Sequence, residues 1–216
     1  MKVICIGNEK GGCGKSTITA NLAVEAVKDG LKVLVIDSDV QQSSIDFRSI
    51  RGEVDSLPQF QAVSNTKNTI HLDIKSFNNF DLILIDAGGR DSKVFRSAIL
   101  ACDFMLIPVL PSQYDIWATE GTVETLNEAR TYKEINSGFI LNQVIVNTTV
   151  AKEALEALEG FNIPLLHTRL CSRVAYKQSI GEGKGVSEYD TTGKASSEIK
   201  ALWQEIKELV SLTKNN

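Results

Sequence analysis

The sequence lacks the features that mark a secreted, membrane-spanning or zinc-binding protein. Its four cysteines lie far apart with no C-x-x-C pair, which argues against a disulfide framework or a zinc site and indicates reduced thiols. No signal-peptide pattern opens the chain, and no run approaches the roughly 20 apolar residues of a membrane span. The sequence therefore predicts a cytoplasmic protein.

A strong positive charge is missing as well. The formal net charge is -4, which argues against a protein that coats nucleic acid with its whole surface, so any contact with DNA must come from a local patch. Internal repeats, proline-rich linkers and low-complexity tracts are also absent. With 216 residues and 43% apolar content, the chain can bury a substantial core. We therefore expect residues 1–216 to form a single domain.

Short apolar runs rich in β-branched residues alternate with patterns of helical spacing. The predicted strands are Val3–Ile6, Val33–Ile36, Leu82–Ile85, Phe104–Val109 and Phe139–Val146. The predicted helices are Ser16–Asp29, Ser92–Ala101, Ile116–Tyr132, Val150–Glu159 and Ser196–Leu212. Such alternation specifies an α/β domain with a mostly parallel sheet and helices on both faces. Residues 51–80 show no clear period, and there we expect a short strand near Gln59–Val63 and a helix near Thr69–Phe77.

The most informative segment runs from Lys10 to Thr17, KGGCGKST, between the first predicted strand and a helix that opens at Ser16. Its glycines let successive backbone N–H groups turn inward on a polyphosphate, and the helix N-terminus favours the anion. In this P-loop context Lys15 would reach the β- and γ-phosphates, and the Ser16 hydroxyl would ligate magnesium. The alternative is a glycine-rich turn that only caps a helix.

The loop departs from the standard P-loop, because Glu9 stands where the first glycine is usual and an extra lysine follows it. Here the sequence resembles the ParA/MinD family of deviant Walker ATPases, whose K-G-G-x-G-K-[ST] loop matches Lys10 to Ser16. The resemblance implies that Lys10 crosses a dimer interface to the partner's nucleotide, unless it is an ordinary solvated lysine. It implies ATP and Mg²⁺ as cofactors, bound by Gly11, Gly12, Cys13, Gly14, Lys15, Ser16, Thr17 and Asn142.

Two acidic strand ends extend the resemblance. Val33–Asp39 resembles the family's D-x-D-P-Q segment with Val40 in place of the proline, which implies that Asp39 orients the attacking water and Asp37 lies near magnesium. Leu82–Asp86 resembles the Walker B strand, whose terminal carboxylate holds magnesium. The implied catalytic residues are thus Lys10, Lys15 and Asp39, and the implied metal-binding residues are Ser16, Asp37 and Asp86.

The assignments of Asp86 and Asn142 have alternatives. Asp86 could instead cap the helix that follows it, although a second helix start competes near Asp91. Gly88-Gly89 continues into what the family uses as a loop that senses the γ-phosphate. Asn142 falls where the family places an asparagine against adenine, but an isolated asparagine at a strand end is more often a turn former.

A basic stretch lies in the C-terminal part. Phe161–Gly181 contains no acidic residue, while Arg169, Arg173 and Lys177 recur every four positions. If residues 172–180 are helical, Arg173 and Lys177 share a face, with Arg169 near its start. In the resembling family DNA-binding basic residues lie in this part of the domain. The alternatives are a solvated basic helix, or an arginine that contacts nucleotide or the other subunit.

The last predicted helix carries an apolar face made by Ile199, Leu202, Trp203, Ile206, Leu209 and Val210. It could be a membrane-targeting helix like that of MinD-type proteins. Packing on the sheet is the better interpretation, because the strongly apolar, basic tip of an anchoring helix is missing. We therefore expect no stable membrane association.

The short plasmid-partition members of the family, which lack an N-terminal DNA-binding extension, match best. The resemblance implies an ATPase that dimerises with ATP, binds DNA non-specifically and is stimulated by a small centromere-binding, ParB-like partner, so that it associates with the nucleoid. One alternative is a MinD-like membrane or cell-pole ATPase. Another is a metabolic ligase of the dethiobiotin synthetase kind. A nitrogenase-type reductase would need paired cysteines, for which Cys102 and Cys171 lack a recognisable spacing.

Overall fold

The computed structural model describes residues 1–90, 92–146 and 150–212. Its strands form one seven-stranded sheet in the order β3-β2-β4-β1-β5-β6-β7, with every pair parallel. The strands are β1 Lys2–Ile6, β2 Val33–Asp37, β3 Gln61–Ser64, β4 Leu82–Asp86, β5 Phe104–Val109, β6 Asn136–Val144 and β7 Leu165–Cys171. The prediction of a parallel α/β sheet is confirmed.

Helices cover both faces of this sheet. They are α1 Lys15–Lys28, α2 Ser43–Gly52, α3 Ile70–Asp73, α4 Lys93–Ala101, α5 Gln113–Arg130, α6 Val150–Glu159, α7 Val174–Gly181, α8 Val186–Tyr189 and α9 Lys194–Leu209. Alternate residues of the central strand β4 serve two separate cores: Ile83 and Ile85 lie in one, and Leu82 and Leu84 in the other. Burial on both faces explains why the strands read as continuous apolar runs.

Three elements escaped the sequence analysis: helix α2, strand β7 and the four-residue helix α8. Helix α2 was not predicted, because only Ser44, Phe47 and Arg51 of its ten residues are buried and its apolar pattern is weak. Strand β7 was not predicted either, because it mixes buried Leu166 and Leu170 with exposed polar residues. In the poorly patterned region, the predicted helix is divided into α3 and a 3₁₀ turn, Ile74–Ser76.

The C-terminal helix α9 packs against the sheet, as its pattern favoured. Ile199, Leu202, Trp203 and Ile206 are each at most 1% exposed, and the Trp203 indole donates to Asp29 at 2.8 Å. The Glu205 carboxylate of α9 accepts hydrogen bonds from the backbone N–H groups of two β7 residues. The apolar face of α9 is thus buried within the domain, except for Leu209, which is 48% exposed. Within the described residues, none of the helices combines the length and apolar character needed to cross a bilayer.

Candidate nucleotide-binding site

The carboxyl ends of β1, β2 and β4 bring the predicted site residues together. In the sheet register Asp86 lies beside Ile6 on one side and Asp37 on the other. An open cavity of about 910 Å³ lies above this edge. The residues that line it are Gly11, Gly12, Gly14, Lys15, Ser16, Thr17, Ser38, Asp39, Val40, Gln41, Thr66, Gly88, Gly89, Arg90, Ser92, Val94 and Gln143. Ligand binding at this edge is the general rule for parallel α/β sheets.

The glycine-rich loop takes a backbone path that only glycine adopts readily. Gly12 and Gly14 have φ angles of 79° and 91°, and Gly14 is the N-cap of α1. Without a Cβ atom these residues reach the left-handed region at little cost. The loop therefore ends at a helix N-terminus, where unpaired N–H groups and the helix dipole favour a phosphate.

Lys15 lies at the start of α1 with its side chain folded along the loop. Its Nζ donates to the Lys10 carbonyl at 3.0 Å, and the residue is 7% exposed. A Cβ atom on Gly89 would come within 3.0 Å of this Nζ, so the loop after β4 passes close to the Lys15 amine. Cys13 turns its thiol inward, where burial raises the pKa of that thiol.

Two side chains from the end of β6 donate hydrogen bonds to backbone carbonyls of the loop. The Asn142 amide donates to the Cys13 carbonyl at 2.7 Å, and Gln143 donates to the Gly12 carbonyl at 3.2 Å. A Cβ atom on Gly14 would lie 2.2 Å from the Asn142 amide nitrogen. The predicted adenine contact of Asn142 stays a prediction, while its position gives it a role in holding the loop. Sequence analysis missed Gln143, because no motif spans the 131 positions between it and Gly12.

The two buried aspartates have different surroundings. Both oxygens of Asp37 accept backbone N–H groups: Oδ1 from Asp39 at 3.0 Å, and Oδ2 from Ser44 at 2.8 Å. Burial raises the pKa of Asp37, and these N–H groups oppose the rise. Asp37 thus caps the N-terminal turn of α2, and its place near magnesium stays a prediction.

Asp86 is the better candidate magnesium ligand. Its Oδ2 accepts the Ser44 hydroxyl at 2.7 Å, whereas its Oδ1 is buried and has no hydrogen-bond partner among the described residues. Burial raises the pKa of Asp86 to about 7, partly offset by the Ser44 hydrogen bond. A buried oxygen without a partner beside the Ser16 helix start fits a cation held by one carboxylate, a hydroxyl and phosphate oxygens. Sequence analysis missed Ser44, since α2 itself was missed.

Asp86 does not cap the following helix. Ser92 is the N-cap of α4, and its hydroxyl accepts the Phe95 N–H at 3.1 Å. The competing helix start near Asp91 lies outside the described residues.

Asp39 lies at the rim of the cavity. Its Oδ1 accepts the Gln41 N–H at 2.9 Å, and its Oδ2 would be 3.7 Å from a Cβ atom placed on Gly88. Val40, which replaces the family's proline, is 76% exposed. Asp39 therefore lies against the loop that follows β4, and both line the cavity. Arg90, another lining residue, was not singled out from the sequence.

The predicted basic patch is divided among three local environments. Arg169 is exposed on β7, and Lys177 is exposed on α7. Arg173 is the N-cap residue of α7 and donates from Nη2 and Nε to the Glu198 carboxylate at 2.6 and 2.9 Å. The helix thus begins at residue 174, so Arg169 lies on a strand, and Arg173 is committed to an ion pair with α9.

Comparison with known proteins identifies the family. Residues 4–186 match the CobQ/CobB/MinD/ParA nucleotide binding domain. The chain belongs to this family. The expected ParA/MinD resemblance is confirmed, and the loop at Lys10–Thr17 lies within the matched domain.

Relatives that this chain matches over nearly its whole length are named for carboxysome distribution and for chromosome partitioning. The "Maintenance of carboxysome distribution protein A" of Halothiobacillus neapolitanus is 29% identical over 209 residues, covering 94% of this chain and 95% of the relative. The "Chromosome-partitioning ATPase Soj" of Thermus thermophilus is 22% identical over 239 residues, with 95% of each chain covered. The Pyrococcus horikoshii MinD, solved with Mg-ADP, superposes with a TM-score of 0.80 at 20% identity, covering 100% of this chain and 99% of that one. ATP with Mg²⁺ as the cofactors is thus confirmed at the level of the family.

Proposed function

We propose that this protein is a ParA-like ATPase that uses Mg²⁺-ATP to switch between two states and thereby partitions DNA. The observation that carries the proposal is a cavity lined by Lys15, Ser16 and Asp39, at the sheet edge where the buried Oδ1 of Asp86 has no hydrogen-bond partner among the described residues. Lys15 would neutralise the β- and γ-phosphates. Ser16 and Asp86 would hold magnesium, which neutralises the charge that develops on the leaving phosphate.

The reaction is hydrolysis of the bond between the β- and γ-phosphates. Asp39 lies at the open side of the cavity, where it can orient a water for attack on the γ-phosphate. Its position beside Gly88 supports this role, because the loop after β4 would close on the same phosphate. Turnover is slow until a ParB-like partner stimulates it, so the reaction times a change of state.

In the ATP state two copies close face to face, with Lys10 reaching the partner's nucleotide. The exposure of the Lys10 side chain, 44%, supports a role outside its own cavity. The dimer carries two copies of each residue that contacts DNA. Since each phosphate contact is weak and their number sets affinity, ATP would then control DNA binding.

DNA contacts come from Arg169 and Lys177, the two members of the basic patch that are exposed and not ion-paired with Glu198. Arg173 fastens α7 to α9 instead. A double variant of Arg169 and Lys177 to alanine should lower DNA affinity for all sequences and flatten its salt dependence. ATPase activity without DNA should be preserved.

A matched control for this variant is the double replacement of Lys32 and Lys75 by alanine. Both lysines are exposed: Lys32 immediately precedes β2, and Lys75 lies in the 3₁₀ turn between α3 and β4. This control loses the same net charge, and its DNA affinity should depend on salt concentration as that of wild type does. If the Arg169 and Lys177 variant also keeps the wild-type salt dependence of DNA affinity, the DNA-binding residues lie elsewhere.

The cargo has a second candidate. The Halothiobacillus relative is named for carboxysome distribution and covers nearly the whole chain, which favours a large protein body as an alternative to plasmid or chromosomal DNA. Both candidates share an ATP-switched protein that binds the nucleoid. They differ in the partner that stimulates hydrolysis, a centromere-binding protein or an adaptor on the body.

Sedimentation with DNA and with liposomes, each in ATP and in ADP, tests the proposal. We expect co-sedimentation with DNA in ATP and none in ADP, and no ATP-dependent binding to liposomes. ATP-dependent binding to liposomes alone would replace the proposal by a MinD-like role. ATP consumption that requires a small metabolite would replace it by a ligase.

A further inference from the structure

The first half of the loop is fixed to helix α5. The Asn8 side chain accepts the Lys10 backbone N–H at 2.9 Å and the Thr122 hydroxyl at 3.2 Å. Glu9 donates its backbone N–H to Thr122 at 2.9 Å, and its carboxylate accepts the Thr125 hydroxyl at 3.0 Å. These bonds join buried or half-buried groups and fix the backbone at Lys10 to helix α5.

Asp115, in the first turn of α5, faces the Lys10 side chain. The Lys10 Nζ lies 4.0 Å from the Asp115 Oδ1. The Asp115 Oδ2 accepts the hydroxyl of Ser112, the N-cap residue of α5. The Asp115 Oδ1 is buried and has no hydrogen bond within the part of the chain that the structure describes. One oxygen thus completes the helix cap, and the other has Lys10 as its ion-pair partner.

We propose that Asp115 is a positioning residue that holds Lys10 in the resting monomer and competes with the partner's nucleotide for it. This inference rests on the proposed function, in which Lys10 reaches across the dimer. To do so, Lys10 must leave Asp115, and the buried Oδ1 then loses its counter-charge. A buried charge without a partner is costly, so the contact opposes dimerisation without affecting how the monomer binds ATP.

Asparagine at position 115 separates the helix-capping role of Asp115 from its ion pair with Lys10. Asp115→Asn keeps an amide oxygen that can accept the Ser112 hydroxyl, so the helix cap is preserved, but it removes the charge that attracts Lys10. Asp115→Ser is a second variant, because serine is tolerated in the first turn of a helix. Glu124→Gln is the matched control, since it removes a negative charge from an exposed position on the same helix.

The first measurement is the protein concentration at the midpoint of ATP-dependent dimerisation, read by light scattering. Asp115→Asn should lower this midpoint roughly threefold to tenfold, as expected for a partly exposed ion pair with one buried oxygen. Glu124→Gln should leave it unchanged. The double variant Lys10→Ala with Asp115→Asn should remain monomeric in ATP. An unchanged midpoint in Asp115→Asn, an equal drop in Glu124→Gln, or a dimer formed by the double variant would overturn the inference.

The second measurement does not depend on dimerisation. The rate at which an amine-reactive acetylating reagent modifies Lys10 in the nucleotide-free protein can be followed by mass spectrometry. Both Asp115 variants remove the ion pair, so the rate of Lys10 acetylation should rise severalfold in each. In Glu124→Gln the Lys10 amine should react at the wild-type rate. Equal rates in all four proteins would refute the contact itself. Failure of the wild-type protein to dimerise in ATP would instead refute the proposed function.

Discussion

Replacing Asp86 with asparagine tests whether burial of this carboxylate destabilises the nucleotide-free protein. Asp86 is 1% exposed, and burial raises its pKa from 3.8 to about 7. Between these values the folded protein keeps a proton that the unfolded chain releases. The free energy of unfolding therefore falls as pH rises through this window, and Asp86→Asn removes that part of the pH dependence.

The size of the effect follows from the shift. At about 1.4 kcal/mol for each pKa unit, a shift from 3.8 to about 7 corresponds to roughly 4 kcal/mol. The variant should thus match wild type near pH 4 and exceed its stability by up to about 4 kcal/mol at pH 8. The amide oxygen of asparagine can still accept the Ser44 hydroxyl, so the packing around α2 is preserved.

Urea unfolding in EDTA without nucleotide, at intervals from pH 4 to pH 8, measures this difference. Asp55→Asn, at an exposed position, controls for the loss of a carboxylate. A stability difference that stays flat with pH, or one that favours wild type at high pH, would refute the reasoning. With Mg²⁺ and nucleotide added the ranking should reverse, because the metal stabilises the charged carboxylate of wild type and has no such ligand in the variant.

Two further substitutions examine the chemistry of the cavity. Lys15→Ala should abolish nucleotide binding, because Lys15 is the loop cation placed to neutralise the β- and γ-phosphates, and unchanged affinity in calorimetry would contradict the site. Asp39→Ala should bind ATP and accumulate as a dimer while hydrolysing at least about a hundredfold more slowly, because orienting the attacking water contributes mainly in the transition state. Wild-type turnover in single-turnover assays of this variant would transfer the role to Asp37.

The sequence by itself determined the central part of the fold and the phosphate-binding loop. The strands β1, β2, β4 and β5 are short, continuous apolar runs, and burial on both faces demands such runs. The loop could be predicted because its glycines, lysines and serine act through their own backbone and neighbours within one segment. Asp37, Asp39 and Asp86 were placed near it by the family resemblance, and the structure brings them there because parallel strands end at the same edge of the sheet.

Only the tertiary structure decided which partners the buried and half-buried charged side chains would have. Arg51 is wholly buried and pairs through both nitrogens with Glu188, which lies 137 positions away. Arg173 follows the spacing of a basic patch, yet Glu198 of α9 accepts its guanidinium. Such partners depend on how the helices pack on the sheet. The residue spacing within one segment does not predict them.

The same limit applies at the site. Ser44 on Asp86, Asn142 on Cys13 and Asp115 beside Lys10 all join segments that are remote in sequence. A residue pattern reports which side chains have the right chemistry for a phosphate or a metal. It does not report which donor a carboxylate meets, because that depends on where the chain returns to the edge of the sheet. Only the folded chain brings these donors and acceptors within bonding distance.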